Sequence, residues 1–272
     1  MTLSIITINY NNRDGLQKTI DSVLAQKWTN YEWIIIDGGS TDGSRELIER
    51  YQEHFAYWCS EPDKGVYNAM NKGIAQAKGK YINFMNSGDT FYDAETLKNV
   101  FQEERTVDII YGDWLEEYYD RADLRGIPQN KLFSMLWSLN ICHQAMFIKA
   151  KLLKEKGYDE SMRYLADWLR NTELVMDGCS FEHVSHIICK YDMYGISNQK
   201  TDATKSKEYE MVMSLYPLNM QCVIRELDNY KNDKYVQITK ELIEVNHVFA
   251  NITKFSLRLL FLFRLLFKRF IR

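Results

Sequence analysis

The stretch LSIITINY, residues 3–10, decides the fold class of this 272-residue chain. Its nearly continuous run of apolar and β-branched residues is typical of a parallel strand that is buried on both faces. A turn with the sequence NNRDG follows it, and apolar residues then recur at helical spacing in LQKTIDSVLAQ, residues 16–26. The sequence therefore opens with a strand that is followed by a helix.

The same alternation continues along the chain. Further strands are predicted in YEWIIIDGGSTDGS (31–44), KYINFMNSGD (80–89) and VDIIYGDWLEE (107–117), and helices in RELIERYQEHF (45–55) and VYNAMNKGIAQAKG (66–79). Strands that alternate with helices predict an α/β fold with a Rossmann-like, mainly parallel sheet.

Beyond residue 115 the pattern becomes more helical. Helices are predicted in NKLFSMLWSLNI (130–141), KAKLLKEKG (149–157) and LADWLRNTELVMDG (165–178). Strand-like residues follow in SFEHVSHIICKYDMYG (180–195), and after GISNQK (195–200) the chain is predicted to be helical to its end. We therefore expect an α/β domain over residues 1–200 and a helical C-terminal extension over residues 201–272.

Polar clusters follow three of the predicted strands, at Asn9–Asn12, Asp37–Asp42 and Asn86–Asp89. In open α/β sheets, ligands bind outside the carboxyl ends of the strands, so three such clusters predict a ligand crevice there. The first strand is followed neither by G-x-G-x-x-G nor by a P-loop, which argues against the usual dinucleotide and P-loop nucleotide sites.

The composition excludes several classes of protein. A net charge of −3 argues against a nucleic-acid partner. Five cysteines without C-x-x-C spacing indicate reduced thiols, as in a cytoplasmic protein. The N-terminus lacks the basic region of a signal peptide, and no stretch reaches the roughly 18 apolar residues that a membrane span needs.

The charge is unevenly distributed. The stretch KFSLRLLFLFRLLFKRFIR, residues 254–272, holds six basic residues and no acidic one; subtracting these six charges from the net −3 leaves −9 on the rest of the chain. On a helical wheel the basic residues fall within an arc of about 140°, and most of the apolar ones lie opposite. This pattern predicts a helix in a membrane interface, with packing on the protein as the alternative.

Four segments together resemble the family 2 glycosyltransferases, and more narrowly the bacterial members that build exopolysaccharide, capsule or O-antigen units. They are SIITINYNN, EWIIIDGGSTDGS, EPDKGVYNAMNKGIAQAKGKYINFMNSGD, and HQAMF followed by GYDESMRYLADWLRN. The resemblance covers roughly residues 1–200. It implies the glycosyltransferase A fold, a nucleotide-diphosphate-sugar donor, a divalent metal (Mg²⁺ or Mn²⁺) and an inverting mechanism.

The resemblance assigns the metal to Asp89. In this family a D-x-D type motif occupies the strand end and its last carboxylate ligates the ion, whereas here Asn86 and Gly88 stand at the earlier acid positions. Because Mg²⁺ commonly binds through one or two carboxylates plus substrate phosphates, Asp89 with waters and phosphate oxygens can form the site. A turn or helix-capping role for Asp89 is the alternative.

The resemblance also assigns the catalytic base. An inverting transfer needs one carboxylate to take the proton of the acceptor hydroxyl, and Asp167 in YLADWLRN falls on the position where similar enzymes place it. Its apolar neighbours favour partial burial, which can raise the pKa of a carboxyl group. A helix N-cap is the alternative role.

Further residues match positions near the donor. Tyr10 matches an aromatic residue that packs against the base, and Asp37 matches the first of two acids, with Gly38 in place of the second. Asn68 and Asn71 lie three apart on one helical face, so they can point together into the crevice. The full set of predicted donor-binding residues is Tyr10, Asp37, Lys64, Asn68, Asn71, Lys72, Asn86, Asp113 and His143.

We therefore expect an inverting, metal-dependent glycosyltransferase of surface polysaccharide biosynthesis. Its acceptor is a saccharide or polyprenyl-linked sugar, and it lies in the cytoplasm as a peripheral protein at the inner face of the cell membrane. The main alternative is a non-catalytic, membrane-associated scaffold of a polysaccharide assembly complex, which the missing acids at Gly38, Asn86 and Gly88 favour. A nucleotidyltransferase is disfavoured because NYNNRDG is not a Gly-rich basic loop.

Overall fold

The computed structural model describes residues 1–129, 140–194, 203–218, 220–222 and 224–225. The chain divides into two compact units, Met1–Leu215 and Tyr216–Arg272. The predicted boundary near residue 200 stays a prediction. The predicted helix at 130–141 falls almost entirely outside the described residues, and the basic stretch 254–272 falls wholly outside them.

The first half of the larger unit alternates strand and helix as predicted. Its elements are β1 (Leu3–Asn9), α1 (Arg13–Leu24), β2 (Tyr31–Asp37), α2 (Ser44–Arg50), β3 (Tyr57–Ser60), α3 (Val66–Gln76) and β4 (Tyr81–Phe84). All seven residues of β1 are buried, including the polar Ser4, Thr7 and Asn9, as expected for a strand that is covered on both faces.

The second half mixes short strands with helices. Its elements are β5 (Thr90–Phe91), α4 (Thr96–Phe101), β6 (Ile109–Glu117), β7 (Ala122–Arg125), β8 (Met146–Lys149), α5 (Ala150–Glu155), α6 (Ala166–Met176), β9 (Phe181–Asp192) and α7 (Ala203–Ser214). The helices predicted after residue 149 and the strand predicted after residue 180 are present.

The strands described form one nine-stranded sheet with the order β3-β2-β1-β4-β8-β6-β9-β5, and β7 pairs with β6. The part β3-β2-β1-β4 is parallel, as expected for an α/β fold. Beyond it the sheet is mixed: β8 runs antiparallel between β4 and β6, and β6 pairs with β9 in parallel. Strand β8, which is as short as the predicted β4, is not among the strands predicted from the sequence.

The register of the parallel part brings the strand ends together. Asn9 pairs with Asp37, and Asp37 pairs with Ser60, so the last residues of β1, β2 and β3 lie side by side. In the same sheet Ile6 pairs with Phe84, which places the residues after β4 next to the end of β1. The predicted crevice therefore lies at the carboxyl ends of these parallel strands.

The helices pack closely enough to fix these strand ends. In α1, Leu16, Ile20 and Val23 are buried, and in α3, Met70 and Ile74 are buried in the same core. A Cβ at Gly73 of α3 would lie 2.5 Å from Ile6 Cγ2, so only glycine permits this approach of helix to strand. Close packing of this kind fixes α3 against β1.

In the smaller unit, only residues 216–218, 220–222 and 224–225 are described, and Gln221 N donates a hydrogen bond to Pro217 O at 2.9 Å. Across the described parts of both units, no helix has the length and apolar character needed to cross a membrane.

Candidate active site

Asp37 ties the first three strand ends together. Its carboxylate is fully buried and accepts four hydrogen bonds: from Asn9 Nδ2 (2.7 Å), Ser40 Oγ (2.5 Å), Ser40 N (2.9 Å) and Ser60 Oγ (2.7 Å). Since both carboxylate oxygens are already engaged, Asp37 organises the floor of the crevice. A direct contact of Asp37 with the donor stays a prediction.

Two other side chains flank this floor at Gly38. A Cβ at Gly38 would lie 2.5 Å from Asp63 Oδ2 and 3.1 Å from Tyr10 Cδ2. The carboxylate of Asp63 thus occupies the space that an acidic side chain at position 38 would fill. The ring of Tyr10 is 60% exposed and available to a ligand. The sequence comparison with the family singled out Tyr10 but not Asp63.

The end of β4 holds Asp89 in a buried position. The residue is 4% exposed; its Oδ2 accepts from Gln144 Nε2 at 2.5 Å and its Oδ1 from Asp192 N at 3.0 Å. Burial raises the pKa of Asp89 to about 7, and the hydrogen bonds from Asp192 N and Gln144 oppose that rise only in part. Among the described residues, no lysine or arginine forms an ion pair with this buried carboxylate.

A divalent cation fits this carboxylate, with most of its ligands coming from elsewhere. Within the described ranges, no three His, Cys, Asp or Glu residues form a group that could hold a metal. Asn86 Oδ1 is buried without a hydrogen-bond partner there, so it is a second oxygen at this strand end with unused acceptor capacity. Oxygen atoms, few carboxylates and several waters or phosphates are the ligands that Mg²⁺ takes.

Asp167 is the centre of a second buried group of side chains. It lies in the first turn of α6 and is 9% exposed. Its Oδ1 accepts from Tyr67 Oη at 3.0 Å, and its Oδ2 accepts from Asn140 Nδ2 at 2.8 Å. Asn140 is held in turn by Asn171 Nδ2, 2.8 Å from its Oδ1. The carboxylate is therefore fixed from α3, from residue 140 and, through Asn140, from α6.

The hydroxyl group of Tyr67 acts as a hydrogen-bond donor to Asp167. Burial raises the pKa of the Tyr67 phenol well above its usual value, and the neighbouring Asp167 carboxylate raises it further. The phenol consequently keeps its proton and donates it in the hydrogen bond to Asp167. In the same core, Tyr158 is 5% exposed and its hydroxyl has no hydrogen-bond partner among the described residues.

His143 joins the two groups. Its Nδ1 lies 3.3 Å from Asp167 Oδ2, and its Nε2 lies 2.8 Å from Asn86 Nδ2. If Asn86 Nδ2 donates to Nε2, the ring carries its proton on Nδ1 and donates it to Asp167. Because Gln144, which bonds to Asp89, is the next residue in the same short turn, this turn reaches both carboxylates.

The two asparagines of α3 point the same way, as their spacing predicts. Asn68 Nδ2 donates to Glu160 Oε2 at 2.8 Å, and Asn71 Nδ2 donates to Glu160 Oε1 and Tyr158 O, each at 2.9 Å. The hydrogen bonds from Asn71 and then Asn68 lower the pKa of Glu160, which stays ionised. Their contacts in the structure are therefore with the segment that leads to α6.

Three other predicted residues have contacts that lead away from this cluster. Lys72 Nζ pairs with Glu61 Oε1 at 2.7 Å. Asp113 Oδ1 lies 2.9 Å from His183 Nε2 on β9. Lys64 is exposed, and its backbone N–H donates to Asn68 Oδ1. Their predicted contacts with the donor stay predictions.

The structure thus brings Asn86, Asp89, His143 and Asp167 together, and it adds Tyr67, Asn140 and Gln144. Gln144 could have been found, because it directly follows His143 in the sequence. Tyr67 and Asn140 carry no such signal, since they reach Asp167 from residues 100 and 27 positions away.

Known proteins share this sequence pattern. A model described as Glycosyl transferase family 2 matches residues 4–175. An uncharacterized glycosyltransferase of Mycobacterium tuberculosis is 33% identical over 207 residues, which cover 73% of this chain and 78% of the relative. The PGL/p-HBAD biosynthesis glycosyltransferase of Mycobacterium bovis is 30% identical over 217 residues, 76% of this chain and 84% of the relative. A putative teichuronic acid biosynthesis glycosyltransferase of Bacillus subtilis is 36% identical over 110 residues, 38% and 43% of the two chains.

Solved structures share the fold. TarS 1-349 of S. aureus in complex with UDP-GlcNAc superimposes with a TM-score of 0.61 at 18% identity over 79% of this chain. This chain spans 65% of that one, slightly less than two thirds. A mannosyltransferase from Pyrobaculum calidifontis in complex with GDP-Man and Mn²⁺ gives a TM-score of 0.57 at 14% identity, over 87% of this chain and 82% of the other. The predicted α/β fold of the glycosyltransferase A type is thereby confirmed.

Proposed function

The chain belongs to glycosyl transferase family 2, and from this premise we propose that it is an inverting transferase acting in surface polysaccharide biosynthesis. It moves a sugar from a nucleotide-diphosphate donor to a saccharide acceptor. Relatives named for PGL/p-HBAD and teichuronic acid biosynthesis support a cell-surface glycan as product. The observation that carries the proposal is the hydrogen-bonded path from Asn86 through His143 to Asp167.

Asp167 is the proposed catalytic base. The acceptor hydroxyl oxygen forms the new bond to the anomeric carbon, its proton passes to a carboxylate oxygen of Asp167, and the bond from that carbon to the diphosphate breaks with its electron pair leaving on the diphosphate. Three side chains, Tyr67, Asn140 and His143, lie within hydrogen-bond distance of the carboxylate and orient it. The carboxylate is therefore held in place but remains able to accept a proton.

Asp89 and Asn86 are the proposed ligands on the donor side. A divalent cation bound there would supply positive charge to the donor's diphosphate. Gln144 and the Asp192 N–H fix the orientation of the Asp89 carboxylate in readiness for such an ion. The Mn²⁺ in the complex of the mannosyltransferase neighbour is consistent with this choice of metal.

For the nucleotide base and the sugar of the donor, we propose only a region of the crevice. Tyr10, beside Gly38 and Asp63 at the floor of the crevice, is the proposed surface against which the nucleotide base packs. The solved neighbours hold UDP-GlcNAc in one case and GDP-Man in the other, so either nucleotide is compatible with this fold. Lys64 and Lys72 are the proposed partners of the phosphates, with Lys72 leaving its surface pair with Glu61.

The acceptor is proposed to be carried by a lipid at the inner face of the cell membrane. The support is the basic and apolar pattern of residues 254–272, which suits an interfacial helix that meets anionic lipid. A polyprenyl-linked saccharide would be presented to Asp167 from that surface.

A ligand-stabilisation experiment tests the proposal. The purified chain is heated with UDP-, GDP-, dTDP- and CMP-sugars, each with and without Mn²⁺, and its melting temperature is recorded. A donor at about 100 times its dissociation constant stabilises the folded state by about 2.7 kcal/mol. We expect one nucleotide class to raise the melting temperature, and to do so only when Mn²⁺ is present.

The variant Asp167→Asn then separates an enzyme from a scaffold. We expect it to keep the Mn²⁺-dependent shift with the donor and to lose transfer by about 10² to 10⁴-fold, the usual contribution of a positioned base. Unaltered transfer by Asp167→Asn would refute the assignment of the base. A chain that binds none of the four donor classes would instead fit the scaffold.

A further inference from the structure

The start of α6 has no cap of its own. Its N-cap residue is Leu165, whose side chain offers no hydrogen bond, although Asp167 follows only two residues later. The first N–H groups of a helix need partners from outside the helix, and without them the first turn frays. Some other part of the protein must therefore hold the segment that carries Asp167.

Glu208 of α7 holds that segment. Its Oε1 accepts from Arg163 N at 2.6 Å, and its Oε2 accepts from Tyr164 N and Leu165 N, each at 2.9 Å. Glu208 is only 4% exposed, although glutamate is almost never fully buried unless it is paired. Here its partners are three consecutive backbone N–H groups that immediately precede α6, and the N-terminal end of a helix dipole favours a negative charge.

A second contact fixes α7 against the same turn. The ring of Tyr209, the neighbour of Glu208, meets the ring of Trp168 edge to face, with centroids 5.8 Å apart. Trp168 is the residue directly after Asp167. The Asp167 backbone is therefore held on both sides by two consecutive residues of α7, a helix that comes later in the chain.

From this geometry we propose that Glu208 is a positioning residue, which sets the place of the Asp167 carboxylate by holding the backbone before α6. The inference rests on the proposed function, because it needs Asp167 to act as the base. Glu208 touches no reacting atom. A small displacement of a base relative to the acceptor hydroxyl is enough to cost rate by two orders of magnitude.

The test compares Glu208→Gln with Glu210→Gln, the same substitution at an exposed position of the same helix. The amide keeps one oxygen but points an NH₂ group at backbone N–H groups, so at least one of the three hydrogen bonds is lost. We expect Glu208→Gln to lower kcat by about 10 to 100-fold with an unaltered KM for the donor. Glu210→Gln should behave as the unmodified chain.

A double substitution distinguishes positioning from general destabilisation. If Glu208 acts through Asp167, Glu208→Gln should cause no further loss of residual transfer in a chain that already carries Asp167→Asn. An equal fold-loss in both backgrounds, or a loss of donor binding, would overturn the proposal. If Asp167→Asn alone leaves transfer intact, the proposed function fails first and the two failures are told apart.

A second variant covers the case in which Glu208→Gln does not fold. Tyr209→Ala removes the ring that meets Trp168 and leaves the three hydrogen bonds to Glu208 in place. We expect it to lower kcat by several fold with the donor KM unchanged. An unaltered kcat in Tyr209→Ala, with α7 still folded by circular dichroism, would contradict the role of this helix in placing Asp167.

Discussion

At the scale of single residues, the two buried tyrosines beside Asp167 differ in one respect that can be measured. Tyr67 donates its hydroxyl proton to Asp167, whereas the hydroxyl of Tyr158 has no partner among the described residues. Their rings pack together, with centroids 5.7 Å apart. They therefore form a matched pair in the same core, one with a satisfied hydroxyl and one without.

The substitution Tyr67→Phe should destabilise the protein and slow transfer. It removes a hydrogen bond to a charged, buried group, which is worth about 1.5–3 kcal/mol. We expect the free energy of unfolding in urea to fall by about that amount, and kcat to fall because Asp167 loses one of its three orienting donors.

Tyr158→Phe is the control for this prediction. Removing a buried hydroxyl that has no hydrogen-bond partner in the described part of the chain should leave the free energy of unfolding unchanged or raise it slightly. Equal losses of stability in the two variants would show that the hydrogen bond between Tyr67 and Asp167 contributes nothing beyond packing.

At the scale of secondary-structure elements, Asp108 joins the starts of two strands and the end of a third. It directly precedes β6, and its carboxylate accepts from Ser180 N (2.9 Å), Ser180 Oγ (2.7 Å) and Lys149 Nζ (2.9 Å). Ser180 directly precedes β9, and Lys149 ends β8. These hydrogen bonds, with that of the Ser180 hydroxyl first, lower the pKa of Asp108 to about 2.

This pKa predicts how the stability of the sheet depends on pH. Because the folded-state pKa lies below the ordinary value near 4, ionised Asp108 stabilises the fold above about pH 4, and this contribution is lost as the pH falls towards 2. With the carboxylate 32% exposed, we expect only about 1 kcal/mol. In urea unfolding, the Asp108→Asn variant should have a lower free energy of unfolding than the unmodified chain at pH 6. At pH 3 the difference between the two should be smaller. A difference in the free energy of unfolding that is larger at pH 3 than at pH 6 would contradict the lowered pKa of Asp108.

The sequence predicts those strands and helices that follow from a local pattern of apolar residues. It does not predict those that depend on pairing with distant strands. Strands β1, β2 and β4 follow from apolar runs, and α3 and α6 from helical spacing, so their existence is predictable. The antiparallel β8 is not among the predicted strands, and its place is fixed by pairing with β4 and β6 on either side. Local patterns carry no information about such pairing.

The residues of the candidate site likewise fall into those that sequence motifs predict and those that only the folded structure reveals. Asp89 and Asp167 stand in motifs of the family and were predicted from them. Their partners Gln144, Tyr67 and Asn140 and the anchor Glu208 lie on other elements, and only the tertiary packing brings them near. Asp37 shows the converse case, since its motif is plain in the sequence but its four hydrogen bonds become visible only in the folded chain.

At the scale of the whole molecule, the C-terminal charge predicts a dependence on lipid composition. We expect the full chain to sediment with vesicles that contain anionic lipid, to bind neutral vesicles weakly, and to release when the salt concentration is raised. A variant in which all six basic residues of 254–272 become glutamine should lose binding to anionic vesicles. Each charge contributes roughly 1 kcal/mol near the surface.

The same variant supplies its own control, because its transfer to a water-soluble acceptor should be unchanged. Binding to anionic vesicles that survives neutralisation of all six charges, or that is insensitive to salt, would contradict the interfacial role of this stretch.

The short turn that holds His143 and Gln144 has a consequence for how this enzyme can change over generations. One residue of the turn bonds to Asp167 and the next bonds to Asp89, so a substitution that shifts the turn alters both contacts at once. A lineage in which the contact of Asp89 changes therefore also acquires altered surroundings of Asp167. We expect neighbours of this turn to accept substitutions mainly in compensating sets, so that donor preference and turnover evolve as linked traits.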